Sequence, residues 1–352
     1  MVRRAGSIGC AMLLAVLGAA ALDAAAQTQI YPAASRRVQP RVRIHRAQET
    51  CDGTTLFADL QPEVPPRLLE VDMAGDVVWE FEIPPYLRGY TDPGMDVEAL
   101  ANGNVLFVLP RFGVFEVERD GRIVWFHRDE KISHDADRLE NGNTLYVYGG
   151  QDDVGDLHVK EIEPDGTLVW SWSAGSCFAV DPYLGIEDGG WTHTNAVTRL
   201  ENGNTLVNLR NFDLTVEIDP DGRVEWQIDW RTLFDQVPSR GTYGPHDPEA
   251  LPDNRLLVCL QWDAPYQVVE IDRETGRVLW SYHRDGLRTT RDADRLPNGN
   301  TLIVGVLEAS ETSVVFEVTP EGRIVWELAL DVRTGKAPGW FYKAERILGA
   351  AD

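Results

Sequence analysis

The sequence predicts an all-β fold, a six-bladed β-propeller whose last blade is closed by both termini. Three observations carry this. A Gly-x-x-x-Trp element recurs along the chain, an Asn-Gly turn interleaves with it, and the two ends hold complementary parts of one further unit. The first element is Gly75…Trp79, Gly121…Trp125, Gly166…Trp170, Gly222…Trp226, Gly276…Trp280 and Gly322…Trp326. Successive tryptophans lie 46, 45, 56, 54 and 46 residues apart, a period that suits blades of four short strands.

The second element reads ANGNVL from Ala101, ENGNTL from Glu140 and Glu201, PDNRLL from Pro252 and PNGNTL from Pro297. Asn-Gly between alternating apolar runs marks a hairpin, because both turn residues must accept unusual backbone angles. One unit then reads strand by strand: Asp135 to Leu139, Thr144 to Tyr148, Val159 to Ile162 and Leu168 to Trp172. Alternation such as Val-Lys-Glu-Ile supports strands, and no long helical period competes. The segment from Gly339 to Ile347 reads as a lone first strand. The turn at Asp52-Gly53 with the strand beginning at Thr54, then Arg67 to Asp72 and Val77 to Trp79, supplies the other three. Joining them closes the ring and removes sheet edges.

The flanks divide the chain into a signal peptide at 1–26, a flexible leader at 27–50 and the propeller at 51–352. Arg3 and Arg4 precede an apolar stretch from Cys10 to Leu22, and Ala24-Ala25-Ala26 offers a cleavage site. The expected location is therefore periplasmic or secreted. The leader carries Arg36, Arg37, Arg41, Arg43 and Arg46 and few strand signals. The formal net charge of −23 argues against nucleic acid as a partner. No later segment is apolar enough to cross a membrane. After the signal peptide, Cys51, Cys177 and Cys259 remain. They can form at most one internal disulfide, and ordinary buried thiols are as good a reading.

The chemistry converges on one repeated position, five residues before the leucine that precedes each Asn-Gly-type turn. It holds Met95, His134, Asn195, His246 and Arg291. In a propeller the first strand of each blade lines the central channel, so these residues should ring one mouth. His193 lies beside Asn195. Arg210 and Arg111 end second strands and return to the same mouth. Trp191, Tyr243 and Trp262 lie on segments near it and could stack an aromatic ligand, although packing between blades is the commoner fate. Asp135, Asp247 and Asp292 directly follow ring residues. Simple alternation turns them away from the channel, into a shared structural hydrogen bond.

Histidines with arginines and few inward carboxylates make an anion-seeking pocket. A neutral imidazole can attack an electrophilic phosphorus or sulfur, arginine can hold the oxyanions, and another, protonated imidazole can donate to the leaving oxygen. No Ser-His-Asp elbow, phosphate-cradling glycine loop or dinucleotide fingerprint is present.

The segments SHDADRLENGNTL, WTHTNAVTRLENGNTLVNLRNFDLTVEID, GPHDPEALPDN and the terminal FYKAERI resemble the bacterial arylsulfate sulfotransferases, propeller enzymes that use no nucleotide sulfate donor. The resemblance spans roughly residues 50–347. It implies that His246 is transiently sulfurylated, that His134 and His193 support it, and that Asn195 and Arg210 complete the set. It implies aryl sulfates and phenols as small-molecule partners, with neither a cofactor nor a catalytic metal. Two other readings stand beside it: a calcium-dependent propeller hydrolase of lactonase type, which needs inward carboxylates, and a non-catalytic binding propeller.

Overall fold

The computed structural model describes residues 38–61, 64–234, 242–261, 267–308, 312–330 and 341–349. Six antiparallel sheets follow one another around a central channel. Blade 1 is Val97–Ala99, Val105–Leu109, Gly113–Val117 and Ile123–Arg128. Blade 2 is Ala136–Arg138, Thr144–Val147, Val159–Ile162 and Leu168–Trp172. Blade 3 is Thr194–Arg199, Thr205–Leu209, Leu214–Ile218 and Val224–Asp229. Blade 4 is Pro245–Leu251, Arg255–Leu260, Val268–Asp272 and Val278–Tyr282. Blade 5 is Leu287–Arg295, Thr301–Leu307, Thr312–Val318 and Ile324–Leu330.

Blade 6 combines the two ends of the chain as the sequence predicts. Ala344–Leu348 pairs with Gly53–Asp59, which continues through Arg67–Val71 to Val77–Glu82. Gly53 carries a requirement here: a side chain would meet the Ile347 carbonyl at 2.2 Å.

The leader needs a correction. Arg41–His45 is a fifth, outermost strand of blade 5, antiparallel to Ile324–Leu330. Arg-Val-Arg-Ile-His alternates, so Val42 packs on the core around Leu328 while the arginines face outward. Residues 1–37, including the expected signal peptide, lie outside the described residues. Among the described residues, no helix is long and apolar enough to cross a membrane. Cys51 and Cys259 are buried, Cys177 is exposed, and none is bridged.

The repeated residues hold neighbouring blades together. Each repeat tryptophan donates its indole N–H to a turn carbonyl of the next blade. Trp79 bonds Arg119, Trp125 bonds Pro164, Trp170 bonds Pro220, Trp226 bonds Arg273, Trp280 bonds Pro320 and Trp326 bonds Met73, all at 2.7–3.0 Å. An arginine lies over each ring, as Arg138 does over Trp125 at 4.4 Å and Arg346 over Trp326 at 4.7 Å. The last asparagine of the Asn-Gly-Asn turn donates to a buried glutamate on the third strand, as Asn204 does to Glu217 at 2.6 Å. Between blades lie apolar clusters such as Leu68, Phe81, Phe107 and Phe115. Burial of such side chains, each worth about 2 kcal/mol, makes the scaffold that aims the channel residues.

Candidate functional site at the channel mouth

The five-residue count places the repeated position at the mouth, and it extends to the closing blade. Counting back from Ile347 gives Tyr342, which the sequence reading left out. The mouth layer is therefore Met95, His134, Asn195, His246, Arg291 and Tyr342. One residue on, a second layer holds Asp96, Asp135, Ala196, Asp247, Asp292 and Lys343. Two further on, a third holds Glu98, Asp137, Thr198, Glu249, Asp294 and Glu345.

The expectation that Asp135, Asp247 and Asp292 turn from the channel is overturned. Lys343 Nζ lies 2.5 Å from Asp135, 2.8 Å from Asp247 and 3.5 Å from Asp96. For Asp247 and Asp292 the physical reason is a β-bulge, and Asp135 lies just before its strand, Ala136–Arg138, where strand alternation does not bind it. Register slips between Thr194 and Ala196, between His246 and Glu249, and between Thr290 and Asp292. A bulge breaks strict alternation, so consecutive side chains can both face the axis. The expected structural bond is also present: Asp135 accepts from Val197 N at 2.6 Å and Asp292 from Ala344 N at 2.7 Å. The third layer repeats it, with Glu98 accepting from Arg138 N and Glu249 from Arg295 N. Burial pushes Glu98 up to about 8 and Glu249 up to about 7.

Above this acidic throat the character reverses. His134 stacks on His193 with ring centroids 5.1 Å apart and on Tyr342 at 5.5 Å. His246 meets the edge of Tyr342 at 6.1 Å, and the Arg291 guanidinium lies 5.3 Å from that ring. Tyr342 thus joins three ring residues that lie far apart in the sequence. Gly94 matters because a side chain there would strike His134 Nδ1 at 2.3 Å. His193 takes a left-handed backbone, φ 48°, to turn its ring inward.

His246 is buried and its Nδ1 lies 2.8 Å from the Gly244 carbonyl. A carbonyl only accepts, so Nδ1 carries the proton. Burial, then Arg210 and Arg291, hold this imidazole well below its ordinary titration range. The neutral ring therefore keeps its lone pair on Nε2. Burial, His134 and Arg210 lower His193 to about 2. His134 falls to about 4, chiefly by burial, with Arg291 and Arg210 adding to it. All three imidazoles are thus held toward the neutral form, which offers one N–H and one lone pair. These shifts work against a protonated donor at His134 or His193.

Arg210 opens a short turn after the second strand of blade 3. Its Nε lies 3.4 Å from Gln261 Oε1 and its Nη1 donates to Asn211 Oδ1 at 2.8 Å. Asn195 is buried; its Nδ2 donates to the Pro245 carbonyl at 3.1 Å, and its Oδ1 accepts from Asn208. It braces the residue before His246. Arg111 stays on the exposed rim, 3.2 Å from Asp92. Trp191 and Tyr243 sit in the core. Trp191 packs edge-on against Phe212 at 5.0 Å, and Tyr243 against Phe234 at 5.2 Å. Trp262 lies outside the described residues. Met95 is core too.

The carboxylates of Asp247, Asp292 and Asp294 have oxygens within 4.8 Å of one another and could hold a metal ion. Lys343 already brings a positive charge to Asp247.

The family model described as arylsulfotransferase (ASST) matches residues 41–237, more than half of the chain. A second, described as outer membrane protein assembly factor BamB, matches residues 155–343. Among solved structures, a protein of unknown function from Bacteroides caccae is 18% identical, with a TM-score of 0.57, covering 83% of this chain and 98% of that one. A virginiamycin B lyase from Staphylococcus aureus is 10% identical, with a TM-score of 0.48, covering 84% and 100%. At 18% identity the first of these likenesses concerns the fold alone. No curated protein matches the chain by sequence.

Proposed function

The chain belongs to the arylsulfotransferase family, and from that premise we propose that it moves a sulfuryl group from an aryl sulfate to a phenol through a sulfo-histidine on His246. The observation that carries this is the buried His246 imidazole, with Nδ1–H given to the Gly244 carbonyl and Nε2 left as a nucleophile near two arginines. Nε2 attacks sulfur, an N–S bond forms, and the S–O(aryl) bond breaks with its electron pair on the departing phenolate. Arg210 and Arg291 hold the sulfuryl oxygens and stabilise charge that grows in the transition state. In the return half, the acceptor phenol attacks sulfur, neutral His134 or His193 takes its proton, and the N–S electrons return to His246. The proton then leaves for solvent or for the first phenolate. The amino-terminal segment with Arg3, Arg4 and Ala24-Ala25-Ala26 supports a periplasmic or secreted location for this reaction.

The test is incubation with 4-nitrophenyl sulfate, with and without a phenol. Nitrophenolate release that depends on the acceptor, a sulfo adduct on the His246 peptide and a loss of about 1,000-fold or more in His246→Asn are expected. No turnover over a panel of aryl sulfates, together with no adduct, overturns the proposal. The cluster of Asp247, Asp292 and Asp294 favours one second reading, a calcium-dependent hydrolase. Turnover that needs calcium and no acceptor would select it.

A further inference from the structure

Two aspartates outside the ring grip the segments that lead into its histidines. Asp213 follows the turn Arg210–Phe212, at φ 54°. It is 2% exposed. Its Oδ1 accepts from Thr242 Oγ1 at 2.7 Å, Tyr243 N at 2.9 Å and Gly244 N at 3.0 Å. The carbonyl of that same Gly244 holds the proton of His246 Nδ1. Asp152 occupies the corresponding place one blade earlier, after the second strand of blade 2. Its Oδ2 accepts from Thr192 N at 2.8 Å and Thr192 Oγ1 at 2.7 Å, and its Oδ1 from His193 N at 3.2 Å.

A further imidazole lies against this second clamp. His158 is fully buried and its Nδ1 accepts from Ala174 N at 3.1 Å. Its proton is therefore on Nε2, which lies 3.2 Å from Asp152 Oδ2. Gly190 lets the loop close over the clamp, since a side chain there would meet Asp152 Oδ1 at 2.2 Å.

We propose that Asp213 and Asp152 are positioning residues for the transfer step, each fixing the backbone that aims a mouth histidine in the next blade. Asp213 does so for His246 by placing the Gly244 carbonyl, which selects the tautomer with a free Nε2. Asp152, with His158 packed beside it, does so for His193 in its left-handed conformation. Neither touches the substrate. The inference rests on His246 being the nucleophile.

The decisive variants separate the carboxylate from the backbone shape. Asp213→Gly accepts φ 54° without strain and deletes the clamp. Asp213→Asn keeps one oxygen where Oδ1 stands, so all three donors can still be met. With 4-nitrophenyl sulfate, Asp213→Gly is expected to lower kcat about 100-fold, as misplacement of a reacting group does, with KM within about threefold. Asp213→Asn should recover at least about a tenth of the wild-type rate. Nitrogen-15 resonances of His246 should report Nδ1–H in the wild type and a tautomer mixture in Asp213→Gly. A folded Asp213→Gly protein with wild-type kcat and an unmixed tautomer overturns the role. Should that variant not fold, Asp152→Asn decides: both its oxygens accept, so an amide nitrogen must face a donor, and unchanged kcat counts against the clamp. The tautomer measurement needs no turnover. Failure of the sulfuryl-transfer reading would appear as an inactive wild type, independently of whether Asp213 fixes the ring.

Discussion

The outer tryptophan ring and the inner mouth are built from the same six repeats, yet they have opposite statistics. Outside, every blade supplies the same indole N–H, the same kind of turn carbonyl and an arginine over the ring. Inside, one equivalent position is methionine, histidine, asparagine, histidine, arginine and tyrosine. A structural task that recurs at each blade junction selects the same solution each time. A site on the propeller axis needs one nucleophile, one set of anion holders and one set of bases, so it must break the symmetry. The difference teaches that function on a repeat protein is found where an equivalent position stops repeating while remaining polar.

The comparison breaks most visibly at Arg210. It has no counterpart in the outer ring's set of repeated arginines, and its fork lies near His246, His134 and His193. Arg210→Lys keeps the charge and loses the planar pair of donors. We expect kcat/KM for an aryl sulfate to fall about 100-fold while the midpoint of urea unfolding stays in place. A large fall in stability with little change in kcat/KM would assign Arg210 to the scaffold instead.

Protons sharpen the comparison next. The folded protein keeps His134 neutral down to about 4, against an ordinary 6.5. The unfolded chain takes up that proton first as pH falls. The stability that neutral His134 contributes is therefore whole above pH 6.5 and is lost as pH falls toward 4. One withheld proton corresponds to a slope of at most about 1.4 kcal/mol per pH unit. The acidic throat acts in the opposite sense. Glu98 and Glu249 titrate high when folded, so acidification relieves their burial. A wild-type curve sums both regions, and the difference from His134→Gln isolates the mouth. That variant should lose stability less steeply between pH 6.5 and 4. Parallel curves would mean that the His134 site is open to water.

These same regions explain what could be read from the residues. The blades were legible because Gly75…Trp79 and its repeats, and the Asn-Gly-type turns, perform the same local task from blade to blade. Closure was legible because Gly339 to Ile347 needed the strand beginning at Thr54. The mouth was partly legible, since counting back from a turn located His134, Asn195, His246 and Arg291. Alternation misled for Asp247 and Asp292 because bulges at Asp247 and Arg291 turn consecutive residues to the axis, and for Asp135 because it precedes its strand, Ala136–Arg138. A bulge has no sequence signature as strong as a turn. Tyr342 and Lys343 were within reach, because the same count applied to the closing blade finds them. Trp191 and Tyr243 show the limit of placing aromatics by segment: each lies beside the mouth in sequence and points into the core. Arg41–His45 was hidden by its arginines, although Val42 and Ile44 alternate with them.

The smallest expected effect tests the uniform side of the comparison. Trp170 donates to the Pro220 carbonyl at 2.9 Å and lies 5.1 Å from the Arg199 guanidinium. Trp170→Phe keeps an aromatic face and removes the indole N–H. Hydrogen bonds of this kind contribute about 1 kcal/mol, and the cation–π contact, at a partly exposed site, weakens by a fraction of that. Urea unfolding should therefore shift by about 1 kcal/mol at unchanged m-value, with kcat and KM unaltered. Trp125→Phe, three blades from His246, should give the same answer, because its environment is the same bond to Pro164 with Arg138 above it. Equal costs at the two positions would make the outer ring a set of interchangeable fasteners. Unequal costs, or a change in kcat from either, would mean that the scaffold is not independent of the mouth, and that the asymmetry inside reaches the blade junctions as well.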